Sequence, residues 1–329
     1  MSDLERRYLH LLRAYPADYR RARGAEIVGT YLDLAAPGRR WPSPADAADL
    51  VRGGLRQRLR ATGATDLAPG VRLAALLAFL TATSLAAAWS LLELRPAPAG
   101  FGEPAAGPFV SLGIGAWTAW LFAAVVHALT PGRWARCAVA LALLLTLALV
   151  PAAPLVGLPR PPLFVLLPQV ALGLVALGLP DALPAPLRPA PLIAVGVVVA
   201  AGTNLQLLPP GTFGGSYYVW TAVPLLPDAA VALLAVALLL AAGLALRADH
   251  RGVWATLILL TPIGLLALQP LAGALDGVGM TVAVWSELAV TAVLIGVVGP
   301  ALLALALALR PRPTRPHRPT PCPTCGAPR

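Results

Sequence analysis

Glu287 is the side chain best placed to carry chemistry in this chain. It stands about seven residues inside an apolar run that opens near residue 280, roughly 10 Å deep at 1.5 Å per residue. A carboxyl at that depth in hydrocarbon is costly, so it is expected to face other helices or water and to hold a proton or a cation. Gln169, Asn204, Gln206 and Gln269, with Thr203, fall at a similar level once their own apolar runs are laid across a bilayer. Two readings stay open. In one, these residues and Glu287 line a shallow cavity that opens outward. In the other, the amides and hydroxyls join neighbouring helices, each contact contributing about 0.6 kcal/mol.

A second group lies in the tail, RPRPTRPHRPTPCPTCGAPR. Cys322 and Cys325 have the spacing that lets two thiolates share one zinc tetrahedron, and His317 supplies a conceivable third ligand. One such pair is half of a zinc ribbon, and the chain has no second pair, so no metal or other cofactor is assigned. An Arg-rich juxtamembrane tail also attracts anionic lipid. His127 and His250 lack spaced partners for a catalytic pair. Phosphate-binding glycine loops, nucleophile elbows and His-Glu-x-x-His sequences are absent, so an enzyme is not expected.

The elements that must position these residues follow from composition. The chain has 329 residues, 58% hydrophobic and 12% charged, with mean hydropathy +0.74. Soluble domains carry about 25% charged residues. All 25 basic residues are Arg, and the net charge of +10 gathers in the first 60 residues, the short connections and the tail. That is where orienting charge sits in a membrane protein, so direct nucleic-acid binding is not inferred. Three Cys form no disulfide framework. The opening MSDLERRYLHLLRAYP has no apolar core after its charges, so no cleavable signal peptide is expected.

Residues 1–65 read as a soluble three-helix module. Ser2 and Glu5 form a capping-box pattern, and Leu4, Tyr8, Leu11 and Leu12 share one helical face. Pro16 starts a second helix that ends near Pro37-Gly38, and Ser43-Pro44 starts a third. From 72 to 309 the chain reads as about eight spans of some 20 residues each, near 72–94, 109–130, 137–157, 162–180, 190–208, 228–247, 252–274 and 280–309. Pro151, Pro154, Pro161 and Pro162 punctuate the third and fourth, which admit a re-entrant segment instead. With the module inside, inner connections hold Arg133, Arg136, Arg188, Arg247 and Arg251. Outer ones hold Arg95 and Arg160 beside Glu93, Glu103, Asp228 and Asp276. This is the positive-inside asymmetry, with both termini cytoplasmic. The longest outer connection, about 209–227, carries Phe213, Tyr217, Tyr218 and Trp220, an aromatic belt or a lid. Residues 310–329 read as a disordered Arg/Pro tail.

The N-terminal residues also carry a resemblance. Leu11-Leu12, Tyr15-Pro16, Tyr19-Arg20, Arg23-Gly24 and Glu26, with the later Asp49-Leu50-Val51-Arg52-Gly53-Gly54-Leu55 and Arg58-Leu59, resemble small cytoplasmic modules on actinobacterial membrane proteins. The stretch is similar to the HAAS signalling domain and to the prefix domains ahead of permease-like regions. It departs from their pattern at Glu26-Ile27-Val28, where relatives carry two acidic residues and a Met. The resemblance implies a cytoplasmic partner, a PadR-type transcription regulator or a sigma factor, met by a surface that includes Arg20, Arg23, Glu26, Arg52 and Arg58.

The expectation is therefore an all-α polytopic membrane helix bundle of the cell membrane, non-enzymatic, relaying a membrane or envelope signal to a cytoplasmic regulator. A small-solute permease using Glu287 as its proton or cation site is the competing class. A structural subunit of a membrane complex is the third.

Overall fold

The computed structural model describes residues 2–35, 39–61, 67–94, 109–182, 184–204, 222–247, 249–275 and 285–309. Regular structure among them is helical. The chain divides into two compact units, one of Met1–Thr65 with Ala304–Arg329 and the other of Asp66–Leu303.

The first unit holds α1 (Asp3–Leu11), a 3-10 turn (Leu12–Ala14), α2 (Ala17–Asp33) and α3 (Pro44–Ala61). The Ser2 hydroxyl accepts from the Glu5 N–H at 3.1 Å, and the Ser2 N–H donates to the Glu5 carboxylate at 3.2 Å. This reciprocal pair satisfies donors that a helix start leaves open. Ser43 and Asp46 repeat it at the head of α3, at 3.0 and 3.2 Å. The first helical face closes on a small core of Leu4, Tyr8, Leu12, Tyr15, Val28 and Leu50.

Two tyrosines tie α3 to that core through their hydroxyls. Tyr8 donates to Asp46 at 3.1 Å and Tyr31 to Asp49 at 2.6 Å, with the two rings 5.5 Å apart. Glycine explains how α3 comes so near. A Cβ on Gly54 would lie 2.7 Å from the Ala14 backbone carbon, and one on Gly53 would lie 2.4 Å from the Tyr15 hydroxyl. The Gly-Gly pair is thus a flat patch against which the 3-10 turn packs.

The second unit is built of apolar helices: α4 (Leu67–Glu93), α5 (Gly113–Leu129), α6 (Arg133–Val156), α7 (Leu163–Ala176), α8 (Ala190–Asn204), α9 (Ala222–Ala245), α10 (Arg251–Leu266), α11 (Leu268–Leu275) and α12 (Trp285–Leu309), the last running across the division. Five helical stretches, those of α4, α6, α8, α9 and α12, are long and apolar enough to cross a membrane, and the bent pair α10–α11 makes a sixth. The helices α5 and α7 are apolar but shorter. Among the described residues, each run read from the sequence overlaps one helix or the bent pair.

Helix α4 is the hub and packs on α5, α7, α8, α9 and α10. Ala74, Ala78, Ala82 and Ala86 recur every four residues along it and are fully buried, so neighbouring backbones approach closely. Gly70 repeats the device, since a Cβ there would stand 2.5 Å from the Trp254 Cβ of α10. In α5 and α6, the indole N–H of Trp120 donates to Thr146 at 3.1 Å, and Thr146 in turn donates to the Ala142 carbonyl at 2.7 Å.

Proline sets the bend in the seventh run. The axes of α10 and α11 differ by 74° at a break beside Ala267. Pro270 has no N–H to offer the Leu266 carbonyl four residues back, and its ring crowds that oxygen, so α10 ends there and Pro270 falls in the first turn of α11. The prolines of the third run act differently: Pro151 and Pro154 lie inside a continuous 24-residue α6, which stops at Gly157 in the left-handed region (φ 71°). The third run is thus one unbroken helix long enough to cross a membrane, and the fourth holds the shorter α7.

Two outcomes follow for the first unit. Gly54→Ala should cost about 1–3 kcal/mol, because backbone rather than a flexible tip occupies the space. Faster hydrogen exchange in α1–α3, with that of α4–α10 unchanged, would show it. Acid should act through Asp46, whose carboxyl is held below the usual range first by the Ser43 hydrogen bond and also by Tyr8 and Arg39. A depressed carboxyl stabilises the folded unit above the unfolded value of about 3.9 and stops doing so as pH falls through the lowered one. Ser43→Ala should move the onset of α3 exchange to higher pH.

Candidate functional site

The residues nominated as a partner surface divide into two kinds. Arg23, Glu26 and Arg52 are exposed, with Arg23 and Glu26 paired at 3.7 Å across one helical turn. Such an exposed pair adds little stability, so these side chains are free for an outside contact at small cost. Arg20 differs. Its Nε is buried and has no hydrogen-bond partner, while the side chain borders a cleft of about 750 Å3 between α1 and α2. Leu9, Leu12 and Val28 give the cleft an apolar lining, and Glu5 and Arg21 stand beside Arg20 on it. Arg58 lies in α3, with its side chain outside the described residues.

The polar layer resolves into separate environments. Gln169 is fully buried in α7 and its amide donates to the Ala82 carbonyl of α4 at 3.1 Å, joining two helices. Its carbonyl oxygen is buried with no partner. Gln269 is half-buried in α11, next to Pro270. Glu287 is half-buried in the first turn of α12, closer to a helix start than the run from residue 280 implied. Asn204 is the last residue of α8, its side chain outside the described residues, as are Gln206, nearly all of the aromatic connection and the tail with His317, Cys322 and Cys325. Within this set, Gln169 joins α7 to α4.

Sequence reading missed a carboxylate. Glu93 was placed in an outer connection beside Arg95, yet it is the last residue of α4 and 0% exposed. The Ser111 N–H donates to it at 2.8 Å and the Ser111 hydroxyl at 2.5 Å, while the Gly113 N–H donates to that hydroxyl at 3.0 Å. A Cβ on Gly113 would come within 2.9 Å of the carboxylate, 2.8 Å of the Trp117 indole nitrogen and 2.6 Å of Pro161. The acid therefore sits over the start of α5, where exposed N–H groups and the helix dipole favour negative charge. The signal in the sequence was Trp89 four residues before Glu93, which puts an aromatic and an acid on one face at the end of an apolar run. Trp89 and Trp117 indeed pair, with ring centroids 6.5 Å apart.

His127 is the other buried group that spacing did not place. It is fully buried in α5, its ring 5.2 Å from Phe79, and neither ring nitrogen has a hydrogen-bond partner. Chemically, Glu93 with Ser111 is a latch between α4 and α5, whereas Arg20 borders a surface cleft and keeps its own Nε buried and unmet.

The latch has a measurable consequence. Glu93→Gln turns an acceptor toward two donors into an amide that can accept from only one side, and an unmet buried donor costs about 1–3 kcal/mol. Thermal unfolding of purified protein in detergent should fall accordingly, with Ser111→Ala lowering it less. An unchanged midpoint for Glu93→Gln would refute the latch. Compared with family models, with curated proteins and with solved structures, the chain matches none.

Proposed function

We propose that the chain is a non-enzymatic multi-pass protein of the cytoplasmic membrane whose N-terminal unit docks a cytoplasmic regulatory protein and relays a membrane or envelope state to it. The observation that carries this reading is the first unit itself. It is built on its own core and keeps an apolar cleft edged by an Arg20 nitrogen that lacks an acceptor. A partner that lays an apolar helix face in the cleft and brings a carboxylate to the accessible part of the half-buried Arg20 would complement this surface. The resemblance of residues 4–60 to HAAS-type modules supports a transcription regulator or sigma factor as that partner.

The membrane assignment is supported by the outside of the second unit. In α12 only 6% of the apolar window is buried, and Val290, Val293, Val297 and Leu302 are exposed; α4 has 67% buried. An apolar surface of that extent suits lipid and not water. The Arg bias of the connections supports eight segments with both termini inside, α5 and α7 being short ones and α10–α11 a broken one.

Crosslinking and pull-down from native membranes test the relay. The whole chain should capture a regulator that a chain lacking residues 1–60 does not. Arg20→Glu should reduce that capture at least about tenfold, as loss of a charge-assisted contact implies, at equal membrane levels. Identical captured sets from the whole and shortened chains would overturn the reading.

A further inference from the structure

A groove on the second unit is lined by one face of α4, one face of α9 and Val198 of α8. On α4 the lining residues run from Leu77 to Ala88 at helical spacing, and on α9 from Leu225 to Val236. Its volume is about 370 Å3, within the range of small-molecule sites. The walls are apolar apart from three side chains: Thr81 and Ser84 on α4 and Asp228 on α9. The Thr81 hydroxyl donates to the Leu77 carbonyl at 3.0 Å, which leaves its oxygen able to accept. Among the described residues, Ser84 and Asp228 have no hydrogen bond or ion pair.

Asp228 reads from sequence as a residue of an outer connection. The helix begins earlier, at Ala222, so Asp228 is its seventh residue and stands on the groove wall. Asp228 is exposed on that wall, four residues into the apolar stretch Leu225–Ala245, where its carboxylate is open to a cation from outside. We propose that this groove binds an organic monocation with an apolar body, its charge on Asp228 and its body along the Leu and Val walls. The proposal uses the membrane reading above but not the relay.

The lining argues for this class over others. A calcium or magnesium ion takes six or more oxygen ligands, and one carboxylate with two hydroxyls is too few. An anion would face Asp228 with no basic side chain on the lining to offset it. A neutral apolar occupant, such as an acyl chain, or an apolar helix of a second copy would leave the carboxyl unmatched. A lipophilic cation satisfies the acid and the walls together.

The test uses the full chain in nanodiscs of zwitterionic lipid, with tritiated tetraphenylphosphonium as probe and, in a separate titration, its anionic isostere tetraphenylborate. Recovery of the chain in nanodiscs checks the membrane reading separately from binding. Saturable phosphonium binding is expected. Asp228→Asn should weaken it about tenfold or more, the loss of a charge-assisted partner, and Asp228→Glu should retain it within about threefold. Ala232→Trp should abolish binding by filling the groove. Thermal unfolding of each variant, matched to that of the wild type, shows that the bundle is intact. Equal phosphonium affinity for wild type and Asp228→Asn, or equally tight saturable binding of tetraphenylborate titrated alone, overturns the proposal. So does a Val236→Cys disulfide between two copies that forms equally with and without phosphonium, because the groove is then an interface.

Discussion

Close approach along α4 is the constraint on which the second unit depends. Five helices pack on one, and a cylinder of ordinary Leu and Val side chains would hold them too far apart to share it. Ala74, Ala78, Ala82 and Ala86 remove that bulk on a four-residue repeat, and the Gly70 contact with Trp254 removes it again near the start of the helix. In lipid the apolar effect between helices is weak, so packing of this kind and a few polar bonds must supply the association. Large side chains then fill what the small ones leave: Trp89, Trp117 and Trp120 are among the largest fully buried residues.

The polar bonds of that unit follow one logic. Gln169 donates to a backbone carbonyl of α4, Trp120 to Thr146, and Ser111 twice to Glu93. Each joins two helices, and each satisfies a group that hydrocarbon would otherwise penalise. Against that pattern, His127 and Asp228 stand out as groups the helices do not satisfy. His127 is sealed against Phe79, whereas Asp228 opens on a groove, and only the second can meet a ligand from outside.

The first unit solves a different problem. Three short helices bury little apolar area, so caps and tyrosine bonds carry more of the burden. Ser2–Glu5 and Ser43–Asp46 close helix starts, and Tyr8 and Tyr31 reach acids of α3 with their rings tilted against one another. Their phenol groups are pushed up, first by burial and then by those acids, which keeps both protonated as donors through the physiological range. Gly53-Gly54 belongs to this economy, because a closer α3 buries more with fewer side chains.

Local chemistry was legible in the residues themselves. The capping box at Ser2, the helix starts after Pro16 and at Ser43-Pro44, and the all-helical character of the apolar runs depend on neighbours within a turn or two, so the sequence by itself determined them. What partners a side chain meets depends on residues far along the chain. Glu93 and Asp228 looked like connection residues because acids end apolar runs; the fold buried one over the start of α5 and set the other on a groove wall. Helix ends shifted by several residues for the same reason, since lipid-facing and helix-facing positions have the same apolar composition here. Pro270 ends α10 through its own missing N–H, whereas the 74° between α10 and α11 is seen only in the folded chain. Periodicity is a property of one helix, while the satisfaction of a buried charge is a property of several, and only the tertiary structure decided which groups were left with something to bind.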